Sequence, residues 1–191
     1  LDVAGGSPTP SASLRVDIAG LELNYEGPSG IHEDTTVFLT ARQFDFGRVF
    51  EMIEELDIGQ PELTDIVIKT VTSLDSRNTI EFLGIYAPEE YTRDIYNVLE
   101  SPDFEDVSLM DTEQDLYLTG LTWRRLVGVN GEWTNRIYHR ANDKTSAEGE
   151  AYPDLVPEGT PAPDVPVRER LIAVTEKETE IGWHSDYVTR N

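Results

Sequence analysis

The sequence predicts an α+β fold that is predominantly antiparallel β-sheet, sandwich-like or barrel-like, with two helices packed on it. Three observations lead to this prediction. Short runs alternate apolar and polar residues, two longer runs carry apolar stripes at helical spacing, and Asn130-Gly131 lies between two strand-like runs. An Asn-Gly pair in that position favours a type I′ hairpin turn, because both central residues must adopt positive φ.

The predicted strands begin with residues 14–25, where Leu14, Val16 and Ile18 point to one side before Gly20 breaks the pattern. Residues 65–74 and 78–86 are rich in β-branched and aromatic side chains, so they read as a hairpin joined at Asp75-Ser76-Arg77. Further strands are predicted at residues 35–40, 107–110, 116–129, 132–140, 167–175 and 181–188, the last two as a C-terminal hairpin.

Two helices are predicted between these strands. Asp45 can cap a helix over residues 46–56, which carries an apolar stripe and stops before Gly59. Pro88 suits the first turn of a second helix that runs to Glu100, because proline is tolerated where no backbone N–H is needed.

An alternative fold follows from the same element order. Residues 35–110 read as β-α-β-β-α-β, which is also the order of a ferredoxin-like core with added hairpins. The strands after residue 110 need a place in a sheet, which favours the mainly antiparallel fold.

The domain organisation is predicted from composition. Residues 1–13 are rich in Gly, Pro, Ser and Thr and should form an extended arm, followed by an α+β core over residues 14–141. Residues 142–166 contain five prolines and are predicted to be a loop, and residues 167–191 to return to the core as a hairpin.

The charge of the chain is its most unusual property. There are 37 acidic residues against 15 basic ones, giving a formal net charge of −22, and only Lys69, Lys144 and Lys177 are lysines. This composition resembles that of proteins from halophilic archaea and their viruses. Self-repulsion at this charge opposes a compact state, whereas molar salt shortens the screening length to about 3 Å. Without a basic stripe we expect no direct nucleic-acid binding, and no apolar run is long enough for a membrane span.

The residues give no catalytic motif, so we expect no enzymatic activity and no cofactor. The chain has no cysteine, which excludes disulfides and thiolate chemistry. Two weak candidates for metal ligands are His32 with Asp34 and His184 with Asp186. The second pair should share one face of a strand, but Ser185 would point to the other face, which argues against a catalytic triad.

Interface residues are predicted at two places. Trp123 and Arg125 should share one strand face, while Arg124 takes the other, and Trp and Arg are common anchors of interfaces. A cross-strand ion pair is the alternative role for these arginines. The arm that begins with Leu1, Asp2 and Val3 is the other candidate for an interface with a neighbouring subunit.

One stretch resembles the tail-tube and distal-tail proteins of long-tailed viruses. Residues 78–123 run strand (TIEFLGIY), helix (PEEYTRDIYNVLES), strand (DVSLM) and strand (LYLTGLTW), and the opening RVDIAGLELNY is similar to the first strands of distal-tail proteins. The resemblance implies a non-catalytic ring-forming protein of a virus particle, with copies of itself and other virion proteins as partners.

Two other functions are kept open by the sequence. A regulatory or ligand-binding domain in the cytoplasm of a halophilic archaeon would use the ferredoxin-like core. A small metal-dependent hydrolase using His32 or His184 is the weakest alternative, because no nucleophile or further ligand is identified.

Overall fold

A computed structural model describes residues 7–100 and 107–189 of the chain. Eight strands form one antiparallel sheet whose spatial order is the order of the sequence. The strands are β1 (Ser11–Val16), β2 (Gly20–Pro28), β3 (Thr35–Asp45), β4 (Gln60–Ser73), β5 (Asn78–Arg93), β6 (Ser108–Val127), β7 (Gly131–Ala151) and β8 (Val167–Thr189).

This topology confirms the mainly antiparallel α+β fold and corrects the alternative. A ferredoxin-like core needs crossover connections that place sequence neighbours apart in the sheet, whereas here every strand pairs with the next one along the chain. The ferredoxin-like prediction is therefore wrong. The sheet is open, with β1 at one edge and β8 at the other.

Both predicted helices are shorter in the structure. They are α1 (Gly47–Met52) and α2 (Ile95–Glu100), and three-residue 3-10 turns lie at Leu56–Ile58, Pro153–Leu155 and Ala162–Asp164. The predicted start of the second helix instead continues β5.

Pro88 disturbs the pairing of β5 with β4. The register between β4 and β5 runs from Leu63 paired with Glu89 to Ile66 paired with Tyr86, and the two intervening positions lack ladder pairs. Proline has no backbone N–H, so it cannot donate to a neighbouring strand. The proline therefore interrupts the ladder locally and does not end the strand.

The hairpin between β6 and β7 forms where the sequence predicts it, but with another turn. Val127 pairs with Gly131, which leaves residues 128–130 as a three-residue loop. Gly128 adopts φ 64°, while Asn130 and Gly131 are absent from the described residues with positive φ. The type I′ prediction is thus wrong, because the glycine before the Asn-Gly pair supplies the left-handed residue.

The last two strands are far longer than predicted. β8 is a single strand over Val167–Thr189, not a hairpin, and residues 142–151 of the predicted loop belong to β7. Residues 176–180 (EKETE) contain no glycine, proline or asparagine to make a turn, and Lys177 donates to Asp143 across the strands at 3.1 Å. β7 and β8 therefore pair along nearly their whole length, with one bulge near Gly149.

The buried apolar residues lie at one end of the sheet. Val98, Val165, Ala147 and Ala151 are the buried apolar residues of the described chain. Beside them the Arg93 guanidinium donates to the backbone oxygens of Asp57 and Ser108, both at 2.9 Å. No second sheet packs on either face within the described chain.

Candidate interaction surface

One face of the sheet carries a large, mainly apolar surface, in which Thr119, Asn135, His139 and Ser185 are polar members. Side chains alternate between the two faces of a strand, and the register places Phe82, Leu121, Ile137 and Trp183 in one row across β5 to β8. We call this surface the apolar patch. Its main members are Leu14, Leu23, Ile66, Phe82, Tyr117, Leu121, Trp123, Trp133, Ile137, Ile181, Trp183 and Tyr187.

The apolar patch is open to solvent. Ile181 is 74% exposed, Trp183 70% and Ile137 56%, and no large side chain is fully buried among the described residues. Isolated exposed apolar residues are ordinary on protein surfaces, whereas a large exposed apolar surface is typical of interaction sites.

Acidic residues are excluded from the patch although the chain has 37 of them. On this face, no Asp or Glu of the eight described strands lies between the row of Ile66 and the row of Trp133. The acids of this face begin one row beyond Tyr117, at Asp115 and Asp143. In the next row Glu62, Glu90 and Glu113 stand opposite one another on β4, β5 and β6. The sequence therefore places its many acidic residues outside the central rows of this face.

Two of the three indole groups of the patch make their hydrogen bonds within the sheet. Trp123 Nε1 donates to Asn78 Oδ1 at 3.2 Å, and Trp133 Nε1 donates to Ser185 Oγ at 2.8 Å. The two rings lie 5.8 Å apart between centroids. Their polar atoms thus need no partner outside the chain, and the exposed ring surfaces are left for apolar contacts.

The structure places the predicted interface residues as follows. Trp123 and Arg125 share the face of the patch, as predicted, while Arg124 points to the opposite face and pairs with Glu81 at 3.0 Å. The ion pair that the sequence offered as an alternative is thus made by Arg124. Leu1, Asp2 and Val3 lie outside the described residues, so their interface role stays a prediction.

A stacked tyrosine pair borders the patch. The rings of Tyr86 and Tyr117 lie 4.7 Å apart with 19° between their planes, and the Tyr86 hydroxyl donates to Asp115 Oδ1 at 3.0 Å. Hydrogen bonding to Tyr117, and then to the Asp115 carboxylate, raises the pKa of Tyr86 to about 12. Both interactions favour the neutral phenol.

The Tyr86 phenol should therefore titrate late in an ultraviolet absorbance titration. Its pKa is raised in the folded state, so its contribution to stability is complete below the ordinary tyrosine pKa of 10 and is lost as pH rises through about 12. We expect Tyr86→Phe to remove a component that titrates near pH 12, and Tyr117→Phe to move that component towards 10. A high-pH component unchanged in both variants would contradict the assignment.

The opposite face, which we call the charged face, carries ion pairs between strands. Glu81 lies between Lys69 Nζ at 3.5 Å and Arg124 Nη1 at 3.0 Å. These three residues line a groove of about 520 Å³ together with Arg136 and Tyr138. The groove concentrates basic groups in an acidic chain, which suits a carboxylate or another anion.

Glycines make room for the aromatic ring in this groove. Tyr138 stands between Gly120 on β6 and Gly182 on β8. Its hydroxyl donates to Glu180 Oε1 at 2.5 Å, and this bond raises the pKa of Tyr138. A Cβ on Gly182 would meet the Tyr138 ring at 2.2 Å, so the ring occupies the space above this glycine.

The candidate metal ligands stay in separate pairs. His184 Nε2 lies 2.6 Å from Asp186 Oδ2 on β8, which confirms that they share a strand face. His32 Nδ1 accepts the backbone N–H of Asp34 at 3.2 Å in the β2–β3 connection. Within residues 7–100 and 107–189, no three or more His, Asp or Glu side chains are grouped closely enough to hold a metal ion.

No described helix is both long enough and apolar enough to span a membrane.

No protein-family model, curated protein or solved structure matches this chain. Function therefore has to be argued from the surfaces themselves.

Sequence reasoning missed most of the apolar patch, including Leu121, Ile137 and Ile181. Its signal is present in the alternation of these strands, but alternation alone does not say whether a face will be covered.

Proposed function

We propose that this protein is a non-enzymatic structural component of a halophilic virus particle, in its tail or at the head–tail junction. In this role it assembles with copies of itself and with other particle proteins. The observation that carries the proposal is the exposed apolar patch on an open, single-layered sheet. A sheet that leaves one such face uncovered gains its second layer from another chain.

The accessible surface supports self-assembly. The chain exposes 12837 Å². A compact monomer of 21.5 kDa is expected to expose about 9,200 Å² by the usual scaling with mass. The excess of roughly 3,600 Å² is several times the ~800 Å² that each partner buries in a standard interface. This chain therefore has ample surface to lose in an assembly.

The acidic composition supports a halophilic setting, and the long antiparallel hairpins are in keeping with the resemblance to tail-tube and distal-tail proteins. In this proposal the sandwich-like or barrel-like arrangement predicted from sequence is completed between subunits.

Antibodies raised against the chain should then label particles purified from the halophilic host.

Molar mass in solution tests the assembly itself. We expect light scattering after size exclusion, at about 3 M KCl where charges are screened, to give at least twice 21.5 kDa with a concentration-dependent mass. A monomer at every concentration would contradict self-assembly. It would instead favour a ligand-binding domain in the cytoplasm of a halophilic archaeon, with the groove beside Lys69 and Arg124 as its site.

A further inference from the structure

We infer that the apolar patch packs face to face against the apolar patch of a second copy of this chain. The two copies would be related by a two-fold axis that lies in the interface and runs across the strands. The inference rests on the proposed self-assembly and adds which surface forms the contact, which partner covers it and in which orientation.

The choice of a second copy follows first from charge. The chain carries a net charge of −22, so two copies repel one another through most surfaces. The central rows of the apolar patch carry no carboxylate, and the carboxylates of Glu81, Glu180 and Asp186 lie on the charged face. Packing patch on patch keeps these groups on the outer surfaces of the pair, where water and ions screen them.

The area of the patch also suits a second copy. Two sheets that pack face to face lie about 10 Å apart and interdigitate their side chains. The patch spans β1 to β8, so an equal sheet covers it more completely than a helix or a short peptide does. The excess surface of one chain is larger than the ~1,000–2,500 Å² that each partner typically loses in large, permanent interfaces, so the patch can supply such a contact.

The orientation follows from the uneven charge along the strands. If the axis ran along the strands, it would bring the acidic rows of the two copies together, with Glu62, Glu90 and Glu113 on both sides. An axis across the strands, at the row of Leu121, sends these rows to opposite ends of the pair. The apolar rows still overlap, because the patch extends about four residues to either side of Leu121.

This orientation gives Arg125 a partner. Arg125 lies four residues beyond Leu121, which is about 13 Å along the strand, and Tyr117 lies the same distance the other way. The axis therefore brings Arg125 of one copy over the row of Tyr117 in the second copy, one row from Asp115. The basic residue at the end of each patch thus meets the nearest carboxylate of the other.

Two leucines on β6 provide a matched pair of variants. Leu121 is 49% exposed on the apolar patch, and Leu126 is 48% exposed on the charged face. Leu121→Asp puts a charge at the centre of the inferred contact, whereas Leu126→Asp makes the same change outside it. We expect the first to weaken dimerisation about 100-fold or more and the second to leave the dimer intact.

Tryptophan fluorescence measures directly whether the apolar patch is covered. The chain has three tryptophans, Trp123, Trp133 and Trp183, and the register places all of them on the face of the patch. In the wild-type dimer we expect blue-shifted emission and reduced quenching by acrylamide, which is neutral and unaffected by the net charge. Both effects should disappear on dilution and in Leu121→Asp at about 3 M KCl, with circular dichroism confirming that the sheet remains.

The outcomes separate the two proposals. A dimer with shielded tryptophans, lost in Leu121→Asp and kept in Leu126→Asp, supports the patch-to-patch contact. An oligomer whose tryptophans stay accessible and that survives Leu121→Asp overturns this contact while self-assembly stands. A wild-type chain that is monomeric at every concentration overturns both.

Discussion

Dilution of KCl from about 3 M to 0.1 M is expected to lower the thermal unfolding midpoint by on the order of 10 °C or more. The reason is that the screening length grows from below about 3 Å to about 10 Å, so repulsion among the 37 acidic residues returns. The measurement is circular dichroism against temperature over a series of KCl concentrations. A midpoint that is indifferent to KCl would refute the halophilic interpretation.

The structure locates one source of this repulsion. Glu62, Glu90 and Glu113 stand directly opposite one another on three neighbouring strands, and like charges in that position are destabilising. Glu90 is the central member, so Glu90→Gln should remove both close repulsions and raise the midpoint at low salt by a few °C.

The neighbouring residue supplies the control. Glu89→Gln changes the net charge by the same amount, but Glu89 stands opposite Leu63 and Gln114 on the other face. Its low-salt midpoint should rise less than that of Glu90→Gln, and the two variants should converge at about 3 M KCl. Lowering pH towards the pI of about 4.3 should also restore stability at low salt, because carboxylates become protonated. Equal effects of both variants would assign the salt dependence to net charge alone.

Gly182→Ala is expected to destabilise the sheet by about 1–3 kcal/mol, as overpacking at a filled site does. The new Cβ would lie 2.2 Å from the Tyr138 ring, so the ring must swing away and give up its hydrogen bond to Glu180. In a chain of this size that free energy corresponds to a loss of roughly 3–10 °C in the unfolding midpoint. Because β8 is an edge strand, its pairing with β7 should be lost first.

Gly120→Ala is the matched control on the other side of the same ring. Its added Cβ would find its nearest atom at 3.8 Å, which is ordinary contact, so the midpoint should change little. Tyr138→Ala should relieve the cost of Gly182→Ala in a double variant, since the clashing ring is then absent. If both glycine variants behave alike at high salt, the ring does not occupy the space above Gly182.

Local signals in the sequence account for much of the fold. The β-branched and aromatic runs joined at Asp75-Ser76-Arg77 predict the β4–β5 hairpin, and in the structure the Asp75 carboxylate accepts the backbone N–H of Arg77 at 2.7 Å. This bond, with others to Asn78, lowers the pKa of Asp75, so its contribution to stability is present above its ordinary pKa and is lost as pH falls through the lowered value.

Longer-range pairing explains the errors. Glu89 and Glu90 after Pro88 have the chemistry of a first helical turn, but β4 and β6 provide ladder partners on both sides and extend β5 through them. Similarly, the charged residues 176–180 gave no sign that a single strand would continue, because the pairing partner that holds them lies on β7.

The candidate site could be predicted only in part. Trp123 and Arg125 were placed on one face because alternation fixes that relation within a strand. The patch as a whole depends on the registers of eight strands, so Leu14 on β1 and Trp183 on β8 could not be joined from sequence. An apolar face is normally interpreted as a core, and its exposure is visible only once no second layer is found.

The agreement between strand order and chain order also has a kinetic consequence. Each strand needs only its predecessor to pair, so the sheet can grow hairpin by hairpin without a search among distant segments. During synthesis β8 leaves the ribosome after the other seven strands, and it carries Ile181 and Trp183, two of the most exposed apolar side chains. We therefore expect a nascent chain to hold seven paired strands before β8 emerges, adds Ile181, Trp183 and Tyr187, and completes the apolar patch.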